Sequence, residues 1–175
     1  MKKIIFIISL IGITLTSWSQ DRMHELKLDA LGVLVGPSLE LTYEYALNVH
    51  SAIGVSTFIR LDRPNRRKYE GFTLAPFYRQ YFYDNSSFGN KGFFIEALIQ
   101  YTNGVGEKDI DNEEVDYILA DYSDIGIGFG GGVKWISPNG FTVEGVAGVG
   151  RNFKIDEHSN DLFLRFGINL GYRFY

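Results

Sequence analysis

The stretch SLELTYEYALN, residues 38–48, changes side-chain type at every second position. One set is apolar or aromatic, comprising Leu39, Leu41, Tyr43, Tyr45 and Leu47, and the other is polar or small, comprising Ser38, Glu40, Thr42, Glu44 and Ala46. Because successive side chains of a strand point to opposite sides, this alternation predicts a strand with two chemically distinct faces. Its length is that of a tilted membrane strand, about 9 to 11 residues, whereas soluble strands more often have about five or six.

The last stretch, LFLRFGINLGYRFY, has the same period. Its even-numbered positions from 162 to 174 are all large and apolar or aromatic, and its odd-numbered positions include Arg165, Gly167, Asn169, Gly171 and Arg173. Most chain termini fray into solvent, so a terminus this regular and apolar predicts a strand held within a larger sheet.

Six further segments predict strands, over 25–35, 51–59, 72–82, 92–101, 122–136 and 141–153. None has a convincing helical period, and the glycines of GIGFGGGVKW and VEGVAGVGRNF suit the curved wall of a narrow barrel better than a helix. Eight strands make an even number, as in single-chain bacterial outer-membrane barrels. The predicted fold is therefore all-β, an eight-stranded antiparallel up-and-down transmembrane β-barrel.

The first 19 residues predict a secretory signal peptide. Lys2 and Lys3 precede an uncharged run over 4–15, and Ser17-Trp18-Ser19 supplies a small-x-small cleavage site. The alternative is a membrane anchor, but the run is shorter than the roughly 18 to 20 residues that a spanning helix needs. With no cysteine there is neither a lipid-attachment cysteine nor a disulfide. We expect a signal peptide over 1–19 and a barrel domain over 20–175, exported to the outer membrane.

The expected connections differ in length on the two sides of the barrel. The segments 60–71, 103–121 and 154–161 fall on one side with a short turn at 36–37, and shorter turns at 48–50, 84–91 and 137–140 fall on the other. Outer-membrane barrels have long outer loops and short periplasmic turns, which puts both chain ends on the periplasmic side. Ten aromatic residues are expected to form a girdle at that rim: Tyr43, Tyr45, Tyr81, Phe82, Tyr83, Phe88, Trp135, Tyr172, Phe174 and Tyr175. The alternative is that they are core aromatics of a soluble sandwich.

Pro76 fits a closed barrel least well. Proline has no N–H to donate to a ladder, and a closed barrel has no free edge at which that loss is harmless. We expect a local bulge to absorb it.

The segments LAPFYRQYF and NGFTVEGVAGVGRNF, the cleavage site before Gln20 and the terminal strand carry a resemblance over residues 20–175. The chain resembles the small eight-stranded outer-membrane barrels of the OmpA transmembrane-domain and OmpX type, and more narrowly the uncharacterised barrel proteins common in Bacteroidota. The resemblance implies that the terminal strand is the signal read by the barrel-assembly machinery, with Arg165, Gly167, Leu170, Tyr172 and Phe174 in the matching positions. Tyr175 departs from the pattern, because it falls on the inward phase if Phe174 faces lipid.

The phase opposite the apolar one collects charges of both signs. They are Lys27, Asp29, Glu40, Glu44, Arg79, Glu96, Asp124, Lys134, Glu144, Arg165 and Arg173. Side chains can nearly fill an eight-stranded lumen, and unpaired buried charges are too costly, so we expect a mutually paired plug. The functional alternative is a narrow ion or small-solute path, for which charged lumen residues are also typical.

Enzymatic acyl chemistry, known on this scaffold, finds little support. The three histidines are His24 before the first strand, His50 in a turn, and His158 in the last outer loop. His158 has acidic neighbours and a serine, but adjacent residues rarely hold the geometry of a catalytic triad. We therefore expect no enzyme activity and no cofactor.

Two outer loops carry opposite charge. In the acidic loop over 103–121, Asp109, Asp111 and Glu113 resemble the start of a calcium-binding loop. However, Glu114 stands where that loop requires glycine, and Ala120 stands where it requires a bidentate glutamate. Loose binding of a divalent ion is the alternative that remains. The basic loop holds Arg60, Arg63, Arg66, Arg67 and Lys68. This patch is suited either to lipopolysaccharide phosphates or to pairing with the acidic loop.

These observations predict a non-enzymatic, monomeric outer-membrane protein with a structural or surface-interaction role, in contact with outer-membrane lipid. The alternative is a narrow pore, and a soluble periplasmic lipocalin-like binder is less consistent because the inward phase is too charged. A formal net charge of -4 and a pI of about 5.4 argue against nucleic acid as a partner.

Overall fold

A computed structural model describes residues 24–61, 69–83, 89–112, 115–154 and 161–174. Within them it has eight strands and one short helix. In chain order these are β1 (His24–Asp29), α1 (Ala30–Val35), β2 (Ser38–Asn48), β3 (Ser51–Arg60), β4 (Tyr69–Tyr83), β5 (Lys91–Asn112), β6 (Val115–Ile136), β7 (Phe141–Lys154) and β8 (Leu162–Phe174).

Each strand pairs antiparallel with the next along the chain, and β8 pairs antiparallel with β1 to close the barrel. The closing ladder runs from His24 opposite Phe174 to Asp29 opposite Asn169. Closure removes the free edges that an open sheet would present. The fold predicted from the two-sided strands, an eight-stranded antiparallel up-and-down barrel, is confirmed.

The first predicted strand, over 25–35, is wrong in its second half. Strand β1 ends at Asp29, and Ala30–Val35 forms α1. The Asp29 carboxylate caps this helix by accepting the N–H of Leu31 at 3.1 Å and of Gly32 at 2.8 Å. Aspartate is a favoured N-cap, so the sequence feature that indicates this helix is one capping residue rather than the apolar pattern that follows it. Among the described residues, no helix is long and apolar enough to cross a membrane.

The acidic segment over 103–121 is largely strand rather than loop, which corrects the prediction. Strands β5 and β6 each have 22 residues, and their ladder runs on through Glu107 opposite Leu119 to Asp109 opposite Tyr117. Acidic residues are poor strand formers, but the returning sequence VDYILADY is rich in β-branched and aromatic residues. Pairing with that segment decides the structure of the whole hairpin.

Pro76 lies in β4 without the expected bulge. It sits opposite Val55, and the β3–β4 register is the same before and after it. On the other side, the β4–β5 ladder skips from Leu74 opposite Tyr101 to Phe77 opposite Leu98 and resumes in the same register. The missing N–H is therefore accommodated by one interruption in the β4–β5 ladder.

The two faces of the barrel wall differ as the alternation predicts. Among the described residues, the buried set has twenty polar or charged members and ten hydrophobic ones. The outward face carries large apolar side chains such as Phe93, Phe129 and Leu164, each about 70% exposed. This is the reverse of a soluble protein, in which charged residues are almost never fully buried.

Candidate functional site

Eight charged side chains meet in the barrel interior and form what we name the inner ion-pair cluster. Each is at most 2% exposed, and they come from seven of the eight strands. The four carboxylates and four cations are Glu25, Glu44, Glu96, Glu144, Lys27, Arg79, Lys134 and Arg173. The formal charges of the eight cancel, as burial in a region of low dielectric constant requires.

Glu44, on β2, is bound through both of its carboxylate oxygens. Oε2 accepts from Lys27 Nζ and from Arg79 Nη1, each at 2.6 Å. Oε1 accepts from Lys134 Nζ at 2.6 Å and from the Tyr81 hydroxyl at 2.7 Å. Charged partners make such bonds short and strong, so Glu44 connects four neighbours in one network.

Arg79, on β4, lies at the centre of the lumen and is fully buried. Its Nε donates to Glu96 Oε2 at 2.6 Å, and its Nη1 donates to Glu144 Oε2 at 2.7 Å. The guanidinium carbon lies 4.3 Å from the Phe77 ring centroid and 4.4 Å from that of Phe94. These aromatic contacts suit arginine, which is weakly hydrated and stacks on ring faces. Among the described residues, Arg79 Nη2 has no hydrogen-bond partner.

Glu25, on β1, belongs to this cluster although it is not among the lumen residues predicted from the sequence. It accepts from Arg173 Nε at 2.7 Å, makes a second bond with Arg173 Nη2, and accepts from Lys134 Nζ at 3.0 Å. The alternation in HELKLD predicts this position, because it places Glu25 on the same face of the strand as Lys27 and Asp29. The rim lies close by, since Arg173 Nη1 also donates to the Gly89 carbonyl at 3.1 Å.

Arg165 and Glu40 lie at the outer boundary of the cluster and are only partly buried. Arg165 Nη1 donates to Glu96 Oε1 at 2.6 Å, and Nη2 donates to Glu40 Oε1 at 3.1 Å. Their side chains are 12% and 16% exposed. This part of the lumen is therefore partly accessible, whereas the inner ion-pair cluster is buried.

Two of the predicted lumen carboxylates lie apart from the inner ion-pair cluster. Asp29 uses its carboxylate as the α1 cap and also accepts the N–H of Ile168 at 3.0 Å. Asp124 is fully buried, opposite Thr102 on β5 and Lys154 on β7. The position of Asp29 follows from the end of β1, which the sequence pattern did not reveal.

Tyr81 corrects the predicted aromatic girdle. It is 1% exposed, and its ring packs 5.4 Å from that of Phe94 inside the barrel. At the rim itself, His24 Nδ1 lies 2.7 Å from the Tyr43 hydroxyl, and the His24 ring stacks on Phe174 at 5.7 Å. Phe88 and the side chain of Tyr83, which were predicted for the same rim, lie outside the part of the chain that the structure describes.

The remaining predicted residues fall in different parts of the chain. On β8, Leu170 and Tyr172 are exposed on the outer face and Arg165 is partly buried, and their role in an assembly signal stays a prediction. In the basic loop, Arg60 Nε donates to the Glu70 carbonyl at 3.0 Å. The following lie outside the described residues: the predicted signal peptide, Arg63, Arg66, Arg67, Lys68, Glu113, Glu114, His158 and Tyr175. Within the described ranges, no group of three or more histidine or acidic residues is arranged to hold a metal ion.

A solved structure is similar to this barrel. No protein-family model matches the chain, and no curated protein matches it. The crystal structure of neisserial surface protein A matches with a TM-score of 0.49 and 12% sequence identity, over 87% of this chain and 93% of that one.

Proposed function

We propose that the chain is a non-enzymatic integral outer-membrane β-barrel protein with a structural or surface-interaction role. The observation that carries this proposal is the pairing of an apolar outer face with a neutral, ion-paired interior in one closed barrel. A closed barrel pairs the backbone groups of neighbouring strands with one another, which the hydrocarbon core of a membrane demands.

The outward face of β6 supports the membrane assignment. Its outward apolar positions run from Ile125 to Trp135, an eleven-residue span, and Ser123 precedes them on the same face. Such a span is about 33 Å long at the usual rise of about 3.3 Å per residue. At a strand tilt of about 40° it covers roughly 25 Å of height, the thickness of the apolar band of outer-membrane barrels.

The inner ion-pair cluster supports a closed plug rather than a channel. Arg79 on β4 reaches Glu144 on β7 at 2.7 Å and Lys134 on β6 reaches Glu44 on β2 at 2.6 Å, so bonds cross the lumen in more than one direction. A permeating ion must break several of these bonds. A narrow pore is the second candidate, favoured by polar atoms without a partner among the described residues, namely Arg79 Nη2 and the hydroxyls of Thr42 and Thr142.

Membrane fractionation of the full chain tests the main proposal. We expect the protein in the outer-membrane fraction, released only by detergent, with a gel mobility that changes on boiling. Recovery of folded protein from the periplasm without detergent overturns it.

Planar-bilayer recording separates the plug from the pore. We expect no current steps from the purified protein. Steps that disappear in Arg79→Ala or Glu96→Ala assign conduction to the lumen and overturn the plug. The outward variant Ile99→Ala is the control, since Ile99 is 56% exposed on the lipid-facing side.

The proposed partners follow from the same placement. Outer-membrane lipid covers the apolar face, the barrel-assembly machinery recognises β8 during biogenesis, and the protein is a monomer.

The basic segment that begins at Arg60 is proposed to bind lipopolysaccharide phosphates, because arginine forms paired hydrogen bonds with phosphate. Replacement of Arg63, Arg66, Arg67 and Lys68 by glutamine is expected to weaken binding of purified lipopolysaccharide, and unchanged binding contradicts this role.

A further inference from the structure

The barrel wall is incomplete beside α1. Strand β8 pairs with β7 from Leu162 to Tyr172 but pairs with β1 only from Asn169 onward. Over residues 162–168, no strand among those described lies on the β1 side of β8. Helix α1 occupies that gap, packs against β8 and β2, and has no buried residue.

A cavity of about 290 Å³ lies beside this part of the wall. Its lining includes four consecutive residues of β8, Phe163 to Phe166. Consecutive strand residues point to opposite faces, so a cavity confined to the lumen touches only every second one. This cavity touches both sets, and it therefore connects the lumen with the outer surface of the barrel.

The two ends of the cavity differ in chemistry. The lumen end has polar side chains that include Ser56, Thr73 and Gln100, and the outer end is apolar, with Leu164, Phe166 and Val35. Three of the lining side chains are carboxylates, Asp29, Glu40 and Glu70, and one is a cation, Arg165. The lumen end therefore has a net negative charge.

The carboxylate of Glu40 can accept further hydrogen bonds at this site. Its Oε1 accepts from Arg165 Nη2 at 3.1 Å, whereas Oε2 makes no hydrogen bond within the described part of the chain. The edge of β8 offers further polar groups, because backbone groups of residues 162–167 that point toward the gap face no partner strand. Unsatisfied polar groups at membrane depth occur only where they are buried in protein or line a wet cavity.

We propose that this opening binds a single-chain amphipath with a positively charged amine head. The head lies in the lumen near Glu40, and the hydrocarbon tail leaves between α1 and β8, past Leu164 and Phe166, into the surrounding lipid. The inference rests on the proposed membrane location. The proposal gives the barrel a class of ligand and a lateral route by which that ligand reaches the lumen from the lipid, while the inner ion-pair cluster keeps the other half of the lumen closed.

Fluorescence quenching in lipid nanodiscs tests the site. The chain has two tryptophans, Trp18 and Trp135, so replacing both with phenylalanine gives a silent background. Phe58→Trp then reports on the cavity lining and Phe129→Trp on the lipid-facing surface. The probe is an N-dodecyl secondary ammonium whose other nitrogen substituent carries the nitroxide, so that its head keeps two N–H donors, and the same nitroxide on a dodecyl phosphate is its anionic counterpart.

We expect the ammonium probe to quench Phe58→Trp saturably and Phe129→Trp only weakly. Glu40→Gln is expected to weaken the probe's affinity about tenfold, the loss of one charge-assisted hydrogen bond. Ala75→Phe fills the cavity and is expected to abolish saturation, whereas Ile99→Phe on the outer face leaves it unchanged. Non-saturable quenching, or equal affinity for the phosphate probe, overturns the proposal.

Two controls keep the outcome interpretable. Heat-modifiable gel mobility shows that each variant is folded, and Phe163→Trp replaces Phe58→Trp as reporter if the latter does not fold. Phosphatidylcholine with a nitroxide on its acyl chain must quench Phe129→Trp. Absence of that quenching refutes the membrane location itself, whereas its presence without saturable probe binding refutes only the lateral site.

Discussion

Lys27 Nζ lies 2.6 Å from Glu144 Oε2, although the two residues are 117 positions apart in the sequence. They belong to β1 and β7, which are separated in the wall by β8. Their contact therefore bridges two strands that do not pair with each other. The backbone ladder joins all eight strands, and the ion pairs connect seven of them by an independent route.

Lys27→Met is expected to lower the free energy of unfolding by about 3–5 kcal/mol, because it leaves an uncompensated buried negative charge. Adding Glu144→Gln restores charge balance, and the double variant is expected to be more stable than the sum of the two single effects predicts. Urea unfolding in lipid vesicles, followed by heat-modifiable mobility, measures each change. Strict additivity of the two substitutions contradicts a shared network.

Tyr81→Phe isolates one hydrogen bond of the cluster. The Tyr81 hydroxyl donates to Glu44 at 2.7 Å inside the barrel, and hydrogen bonds to charged groups contribute about 1.5–3 kcal/mol. The matched control is Tyr78→Phe, because the Tyr78 hydroxyl donates to Gln80 on the exposed face. We expect that control to change the unfolding free energy by less than about 0.5 kcal/mol. Equal effects of the two substitutions place Tyr81 at the rim, as the sequence pattern suggested.

Gly54→Ala tests the close approach of β2, β3 and β4. A Cβ at Gly54 collides with the Tyr43 carbonyl oxygen and with the Phe77 ring, and the backbone atom cannot rotate away. Overpacking of this kind destabilises by about 1–3 kcal/mol. Gly145→Ala is the control, since nothing lies within 4 Å of the added Cβ, and it is expected to stabilise by up to about 1 kcal/mol through the unfolded chain. A destabilising effect of similar size at both sites rules out the collision as the cause.

The sequence revealed the two-sided strands because the apolar and polar sets alternate without a break in 38–48 and with a single exception, Phe163, in 162–174. It did not reveal α1, since ALGVLV is apolar throughout and one capping aspartate decides between helix and strand. The inward direction of Tyr81 was also missed, because a tyrosine suits both a membrane rim and a buried hydroxyl contact. Which charges pair depends on contacts across the lumen, and no local pattern encodes them.

Phe129→Arg tests where the hydrocarbon lies. Phe129 stands near the middle of the outward apolar span of β6, where a lipid-facing arginine is expected to destabilise by about 2–4 kcal/mol. Ser123→Arg lies on the same face just beyond that span and is expected to change stability by no more than about 1 kcal/mol. Phe129→Ala separates the loss of the ring from the added charge. Unfolding measured in vesicles decides the matter, because a barrel outside the membrane tolerates both arginines equally.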